Sequence, residues 1–135
     1  MFIHKLKVRY AETDAMGVAH HSSFFLWMES ARVDYLDKNG YPYSTMEEEG
    51  FYLPVVEVTC RYLLPVKFNE ELSVSLKIQK LTAVSVKIGY EIFNSKGNVV
   101  CRASTLHPVV TKEGKIVRMP QKMKDLFLKD LKENL

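Results

Sequence analysis

Cysteine is scarce in this chain: Cys60 and Cys101 are the only two in 135 residues, and they form no CxxC pair. That excludes a disulfide-stapled scaffold and a paired-thiol redox or metal motif, and both thiols read as reduced core side chains. A run of about 18 apolar residues is missing, so no transmembrane helix is expected. The first ten residues, MFIHKLKVRY, break up their apolar positions with charge and lack the apolar centre of a secretory signal. We therefore expect a cytoplasmic protein. An excess of one charge is missing too: 19 Lys and Arg against 16 Asp and Glu leave a net +3. No basic block alternates with aromatics, so nucleic acid is not an expected partner. Internal repeats, linkers and low-complexity segments are also absent, and the whole chain, 1–135, reads as one domain with one core.

The most informative stretch is Tyr10 to Leu36, YAETDAMGVAHHSSFFLWMESARVDYL. An acidic residue sits on a glycine-containing turn, Asp14-Ala15-Met16-Gly17. Two histidines, His20 and His21, follow, and then comes a helix whose first turns read Phe24-Phe25-Leu26-Trp27-Met28. Ser22 and Ser23 are natural N-caps, and Asn39-Gly40, with Pro42 beyond, ends the helix. At roughly 1.5 Å per residue it spans about 25 Å. A helix apolar all round must be surrounded by protein, and in a chain this short a curled sheet is what can surround it.

The rest of the chain supplies that sheet. Phe2 to Tyr10 alternates apolar and charged residues and reads as a first strand. A short helix is expected at Ser44 to Glu49, where Ser44 and Glu47 have capping-box spacing. After Phe51 the period changes to two. Val56, Val58, Cys60, Tyr62 and Leu64 share one strand face; Leu72, Val74, Leu76 and Ile78 share the next. Val84, Val86, Ile88, Tyr90 and Ile92 form a third such row, and a hairpin loop at 94–98 leads to a last strand over 99–111. Pro108 marks an edge, a bulge or the end of that strand. Pro120 opens a C-terminal helix carrying Met123, Leu126, Phe127 and Leu131. The fold class is α+β, an antiparallel sheet of five to six strands around one long helix. Its free edges favour association with a second copy.

Asp14 reads either as a turn residue capping nearby amides or as a catalytic carboxylate. Gly17 allows the sharp turn. The helix that starts a few residues later offers unpaired N–H groups and about half a positive charge. A carboxylate facing a helix N-terminus suits acyl transfer, because the amides hold a developing oxyanion while the carboxylate attacks the carbonyl or activates water. His20 and His21 are adjacent and cannot share a helix face, and His4 and His107 stand alone, so no metal site is expected. Glu29 and Arg32, three residues apart, read as an ion pair or as part of an acyl pocket. Ser22 and Ser23 lack a GxSxG context, which argues against a serine nucleophile.

The run Arg9-Tyr10-Ala11-Glu12-Thr13-Asp14-Ala15-Met16-Gly17-Val18-Ala19-His20-His21, with Phe24 and the segment Glu29 to Arg32, resembles the signature of the 4-hydroxybenzoyl-CoA thioesterase-like, hotdog-fold acyl-CoA thioesterases. The segment from Tyr62 to Leu72, with Pro65 in a Y-x-x-P turn, is similar to a second family block. The resemblance implies a hotdog fold that forms homodimers or homotetramers, with the active site at the dimer interface. It implies Asp14 as the catalytic carboxylate, the His21 backbone amide as oxyanion donor and Gly17 as the turn that joins them. His20, Phe24 and Glu29 become candidates for substrate contact. The implied reaction is hydrolysis of an acyl-CoA to free acid and CoA, with no cofactor. An acyl carrier protein thioesterase and a non-catalytic acyl-thioester-binding module are the alternatives. A hydratase has less support, because no HFP-type motif is present. Unlike the aromatic-specific members, this chain has no basic cluster at Leu81 to Ser85, leaving Lys67, Lys80, Lys87 and Arg102 as cations for phosphate contacts.

Overall fold

The computed structural model describes residues 1–134. Strand β1 (Phe2–Lys7) leads through a single 3-10 turn at Tyr10–Glu12 into the long helix α1 (His21–Lys38). A short helix α2 (Tyr43–Glu48) follows. Then come β2 (Glu57–Tyr62), β3 (Glu71–Leu81), β4 (Ser85–Phe93), β5 (Val99–Pro108) and a final helix α3 (Gln121–Glu133). The five strands form one antiparallel sheet in the order β1-β3-β4-β5-β2, so β1 and β2 are its edges. The sheet curls around one side of α1, as the hotdog resemblance implies. None of the described helices is long and apolar enough to cross a membrane.

The alternation in the sequence decides which strand face meets the helix. Leu72, Val74, Leu76 and Ile78 of β3 and Val86, Ile88, Tyr90 and Ile92 of β4 are all buried. They pack on Phe24, Trp27, Met28, Ala31 and Tyr35 of α1. Met123 and Phe127 of α3 close one end of the core. Asp130 of α3 accepts from the Ile78 amide at 3.0 Å and from the Tyr35 hydroxyl at 3.1 Å. It thereby ties α3 to both layers, beside the bulge that falls between Ile78 and Lys80.

One polar chain crosses the core in a single direction. Arg32 donates to the Tyr90 hydroxyl at 3.2 Å, and Tyr90 lies 2.6 Å from the Thr105 hydroxyl. Thr105 is 2.7 Å from His107 Nε2, and His107 Nδ1 is 3.1 Å from the Leu53 carbonyl. A carbonyl only accepts, so Nδ1 carries the proton, Nε2 accepts from Thr105, and each hydroxyl donates onward from Arg32 to Leu53. His107 is fully buried, and burial pushes its pKa down to about 4.

Several expectations need correction. The first strand ends at Lys7, because the chain turns at Tyr10–Glu12. Helix α1 starts at His21 with His20 as N-cap, and neither Ser22 nor Ser23 caps it. The Ser23 hydroxyl instead donates to the Glu12 carbonyl at 2.8 Å. Helix α2 starts at Tyr43 after Pro42, with no side-chain cap from Ser44. Pro108 is the last residue of β5. Glu29 and Arg32 do not pair: the helical twist turns Arg32 into the core toward Tyr90, while Glu29 stays exposed. The sheet covers only part of α1, and Phe25, Leu26 and Val33 remain 43%, 49% and 39% exposed.

Candidate active site

The turn that carries Asp14 is built by a short antiparallel ladder. Thr13 bridges Ala19, and the Asp14 amide donates to the Val18 carbonyl at 2.9 Å. Below that pair the His20 amide donates to the Glu12 carbonyl at 3.0 Å. Gly17 closes the tip with φ +76° and donates to the Asp14 carbonyl at 2.9 Å. That left-handed conformation is the one glycine adopts without a steric penalty. Asp14 Oδ1 accepts from the Met16 and Val18 amides at 2.8 and 3.1 Å. One carboxylate oxygen therefore holds the turn, while Oδ2 makes no hydrogen bond to the described residues, and the side chain is exposed to solvent.

The same ladder delivers the chain to the start of α1. The Glu12 carboxylate is buried and anchors the entry, accepting from the Arg9 amide at 2.7 Å and the Arg9 guanidinium at 3.1 Å. His20 spends its amide on Glu12, so it is not an oxyanion donor. His21 and Ser22, the first two helical residues, donate their backbone N–H to no acceptor among the described residues. Two free amides at the positive end of an 18-residue helix are suited to holding an oxyanion.

A cleft of about 260 Å³ opens beside these amides, lined by Val18, His21, Phe24, Tyr62, Leu64 and Pro65, among others. The His21 ring stacks on Tyr62 with centroids 4.0 Å apart and 10° between planes. The Tyr62 hydroxyl donates to the His21 carbonyl at 3.2 Å, and the Phe24 ring meets Tyr62 edge-on at 4.9 Å. The turn after β2 is fastened to the Asp14 loop: Ala19 donates to the Val66 carbonyl at 2.7 Å, and Phe68 to the Gly17 carbonyl at 3.0 Å. The two segments quoted for the resemblance are thus in direct contact.

Of the residues singled out in the sequence, His21 and Phe24 line this cleft, and Asp14 and Gly17 lie on the turn that joins it through Val18 and Ala19. His20 caps the helix at the edge of the group. Glu29 lies elsewhere, in the groove between α1 and β1. Tyr62 and Glu12 are contributors that side-chain chemistry alone did not single out. Glu12 had a local signal in standing three residues after Arg9. Tyr62 was marked by the Y-x-x-P family block alone, since its contact with His21 spans 41 positions and leaves no local signal. Cys60 and Cys101 are free thiols; burial raises both, Cys101 to about 12, so neither is a thiolate nucleophile at neutral pH. Among the described residues no three His, Cys, Asp or Glu gather in a metal-binding cluster.

The family model of the thioesterase-like superfamily matches residues 8–127. The chain belongs to that superfamily. Among solved structures, the DHNA-CoA thioesterase from Staphylococcus aureus is 32% identical with a TM-score of 0.90, covering 98% of this chain and 91% of that one. A hypothetical protein from Aquifex aeolicus is 31% identical with a TM-score of 0.90, covering 94% of this chain and 99% of that one. The 1,4-dihydroxy-2-naphthoyl-CoA hydrolase of Synechococcus sp. (strain RCC307) is 27% identical over 108 residues, 76% of this chain and 82% of the relative. In this superfamily member the matched region takes in both the Asp14 turn and the Tyr62 turn that faces it.

Proposed function

We propose that this protein hydrolyses the thioester of an acyl-CoA to a free acid and CoA. One observation carries the reading: the free His21 amide opens onto an apolar cleft, with the exposed carboxylate of Asp14 on the turn that feeds the helix. The acyl carbonyl oxygen is held by the His21 N–H, the acyl group lies against Phe24 and Tyr62, and His20 flanks the substrate further out. The Asp14 carboxylate then attacks the carbonyl carbon, expelling CoA thiolate and leaving an anhydride for water to open. In the alternative use of the same geometry, Asp14 takes a proton from the water that attacks. Hydroxylamine trapping of an Asp14 anhydride during turnover marks the first route, and its absence marks the second. The relatives named as hydrolases of naphthoyl-CoA thioesters support the thioester class.

The assembly proposed here is a homodimer joined along β2. That strand is a sheet edge with unpaired backbone groups, and Val55, Val56 and Val58 beside it are 44%, 60% and 39% exposed. The experiment that tests the function is thiol release from short, medium, long and aromatic acyl-CoAs, with the matching acyl carrier protein thioesters alongside. Turnover of an acyl-CoA supports the reading. Turnover of the carrier protein thioesters alone moves the substrate class, and tight binding with no thiol release indicates a binding module.

A further inference from the structure

We infer that Tyr10 and Phe68 form an aromatic corner that holds the adenine ring of the CoA carrier, outside the cleft that takes the acyl group. The inference rests on the acyl-CoA reading of this site and adds to it the part that recognises the nucleotide. It starts from two rings left in solvent. Tyr10 is 75% exposed and Phe68 47%. They nevertheless meet edge to face, with centroids 5.5 Å apart and 82° between planes. Scattered exposed apolar residues need no explanation, but two aromatic rings packed together at the surface make a patch suited to a ligand.

Backbone bonds hold both rings in place. Tyr10 opens the 3-10 turn, and its carbonyl accepts from the Thr13 amide at 3.1 Å and the Thr13 hydroxyl at 2.8 Å. The Phe68 amide donates to the Gly17 carbonyl and the Asn69 amide to the Val8 carbonyl, both at 3.0 Å. Asn69 has φ +72° and is the one non-glycine residue among those described with a left-handed backbone. Asparagine tolerates that conformation better than most residues, yet it still costs free energy, and such strain gathers at ligand sites. Here it turns the chain back immediately after Phe68, where the Glu70 amide donates to the Lys67 carbonyl at 3.3 Å. A corner fixed in this way loses little freedom when a ring stacks on it.

The corner continues the wall of the acyl cleft. Val18, Ala19 and Val66 line that cleft, Val18 bridges Lys67, and the next contact along is Gly17 with Phe68. Four residues separate Gly17 from His21, so at roughly 3.3 Å per extended residue the corner lies within about 13 Å of the oxyanion donor. Along the wall come the apolar cleft, then Lys67, then the two rings. That is the order of the parts of a CoA thioester: pantetheine arm, phosphates, adenine. Lys67 is exposed and forms no ion pair among the described residues. A purine lying flat on one ring presents its edge to the face of the other, the geometry aromatic rings prefer. Where a basic cluster at Leu81 to Ser85 is missing, stacking supplies the hold on the nucleotide that charge does not.

The test is calorimetric titration of CoA into the wild type, Tyr10→Ala, Tyr10→Phe and Phe68→Leu, with saturation-transfer NMR on the same samples. Removing an aromatic ring from under a base should raise the Kd of CoA by a factor of about ten in Tyr10→Ala. Phe68→Leu should weaken binding as well, and Tyr10→Phe, which keeps the ring, should bind as the wild type does. The adenine ring protons of CoA should receive saturation from the wild type and lose it in Tyr10→Ala. A wild type that does not bind CoA, or binds it without touching the adenine, would overturn the inference, as would unchanged affinity in Tyr10→Ala. A fall in oligomer mass in Tyr10→Ala, read by light scattering, would assign the rings to a contact between subunits and overturn it too. The hydrolase reading fails separately: adenine contact with no thiol release from any acyl-CoA would sink the hydrolase and leave the corner standing.

Discussion

Gly17 shows how much one residue contributes to this site. Its φ of +76° is imposed by the ladder on either side, and a Cβ added there would meet nothing within 4 Å. Gly17→Ala therefore costs backbone strain without a clash, roughly 1 to 2 kcal/mol. Thermal unfolding should shift down by roughly 3 to 5 °C per kcal/mol, and turnover should fall further than the stability loss explains, because the Asp14 turn opens. His107 is the second residue-scale case. Its folded pKa of about 4 lies below the ordinary 6.5 because burial penalises the cation. The unfolded chain therefore binds the extra proton first, and the stability that His107 contributes above pH 6.5 is lost as pH falls toward 4. The loss is about 3 kcal/mol in all. Urea midpoints measured between pH 7 and pH 4.5 should fall along that slope and flatten in His107→Gln. A slope unchanged in the variant would exclude His107 as its source.

At the scale of elements, the sequence revealed what local chemistry decides and missed what long-range contact decides. The end of α1 was legible because Asn39-Gly40 is a local stop, and Gly40 takes φ +78° there. Its start was not, because the group that meets the helix entry is the backbone carbonyl of Glu12, which no side-chain pattern advertises. The rows on β3 and β4 were legible from period two. The supposed Glu29–Arg32 pair failed because spacing of three does not say which of two residues faces the core. The Tyr62–His21 contact, between the end of β2 and the start of α1, was invisible for the same reason. Tyr62→Phe keeps the ring stack and removes only the hydroxyl that donates to the His21 carbonyl. We expect about 1 kcal/mol of positioning to be lost, up to about fivefold in kcat. Tyr62→Ala should cost more, because the stacking is lost as well. Steady-state kinetics on one good acyl-CoA would compare the two, and equal effects would remove the ring from the account.

At the scale of the whole molecule, the fold class was readable from element order: one long helix with an apolar run at its start and five strand segments leave few other arrangements. How copies assemble was readable only as a need, since edges and exposed apolar residues show that something must cover them. The proposed β2 interface gives this a measurable form. Val56→Lys places a charge beside the exposed edge, where it should weaken the dimer without touching the core. Sedimentation should then show monomers at low concentration, and specific activity should fall with the dimer fraction. Activity that ignores the dilution would contradict a site completed by its partner.

The central claim is that Asp14 is there for chemistry and not only to shape its turn, and Asp14→Asn separates the two roles. The asparagine carbonyl oxygen keeps the bonds that Oδ1 makes to Met16 and Val18, so the turn and the fold are expected to survive. What is lost is the negative charge. Thiol release from the best acyl-CoA, measured for wild type and variant at equal oligomer mass, should fall by a factor of about 100 or more. Turnover in the variant equal to wild type would leave Asp14 as a turn residue and contradict the account.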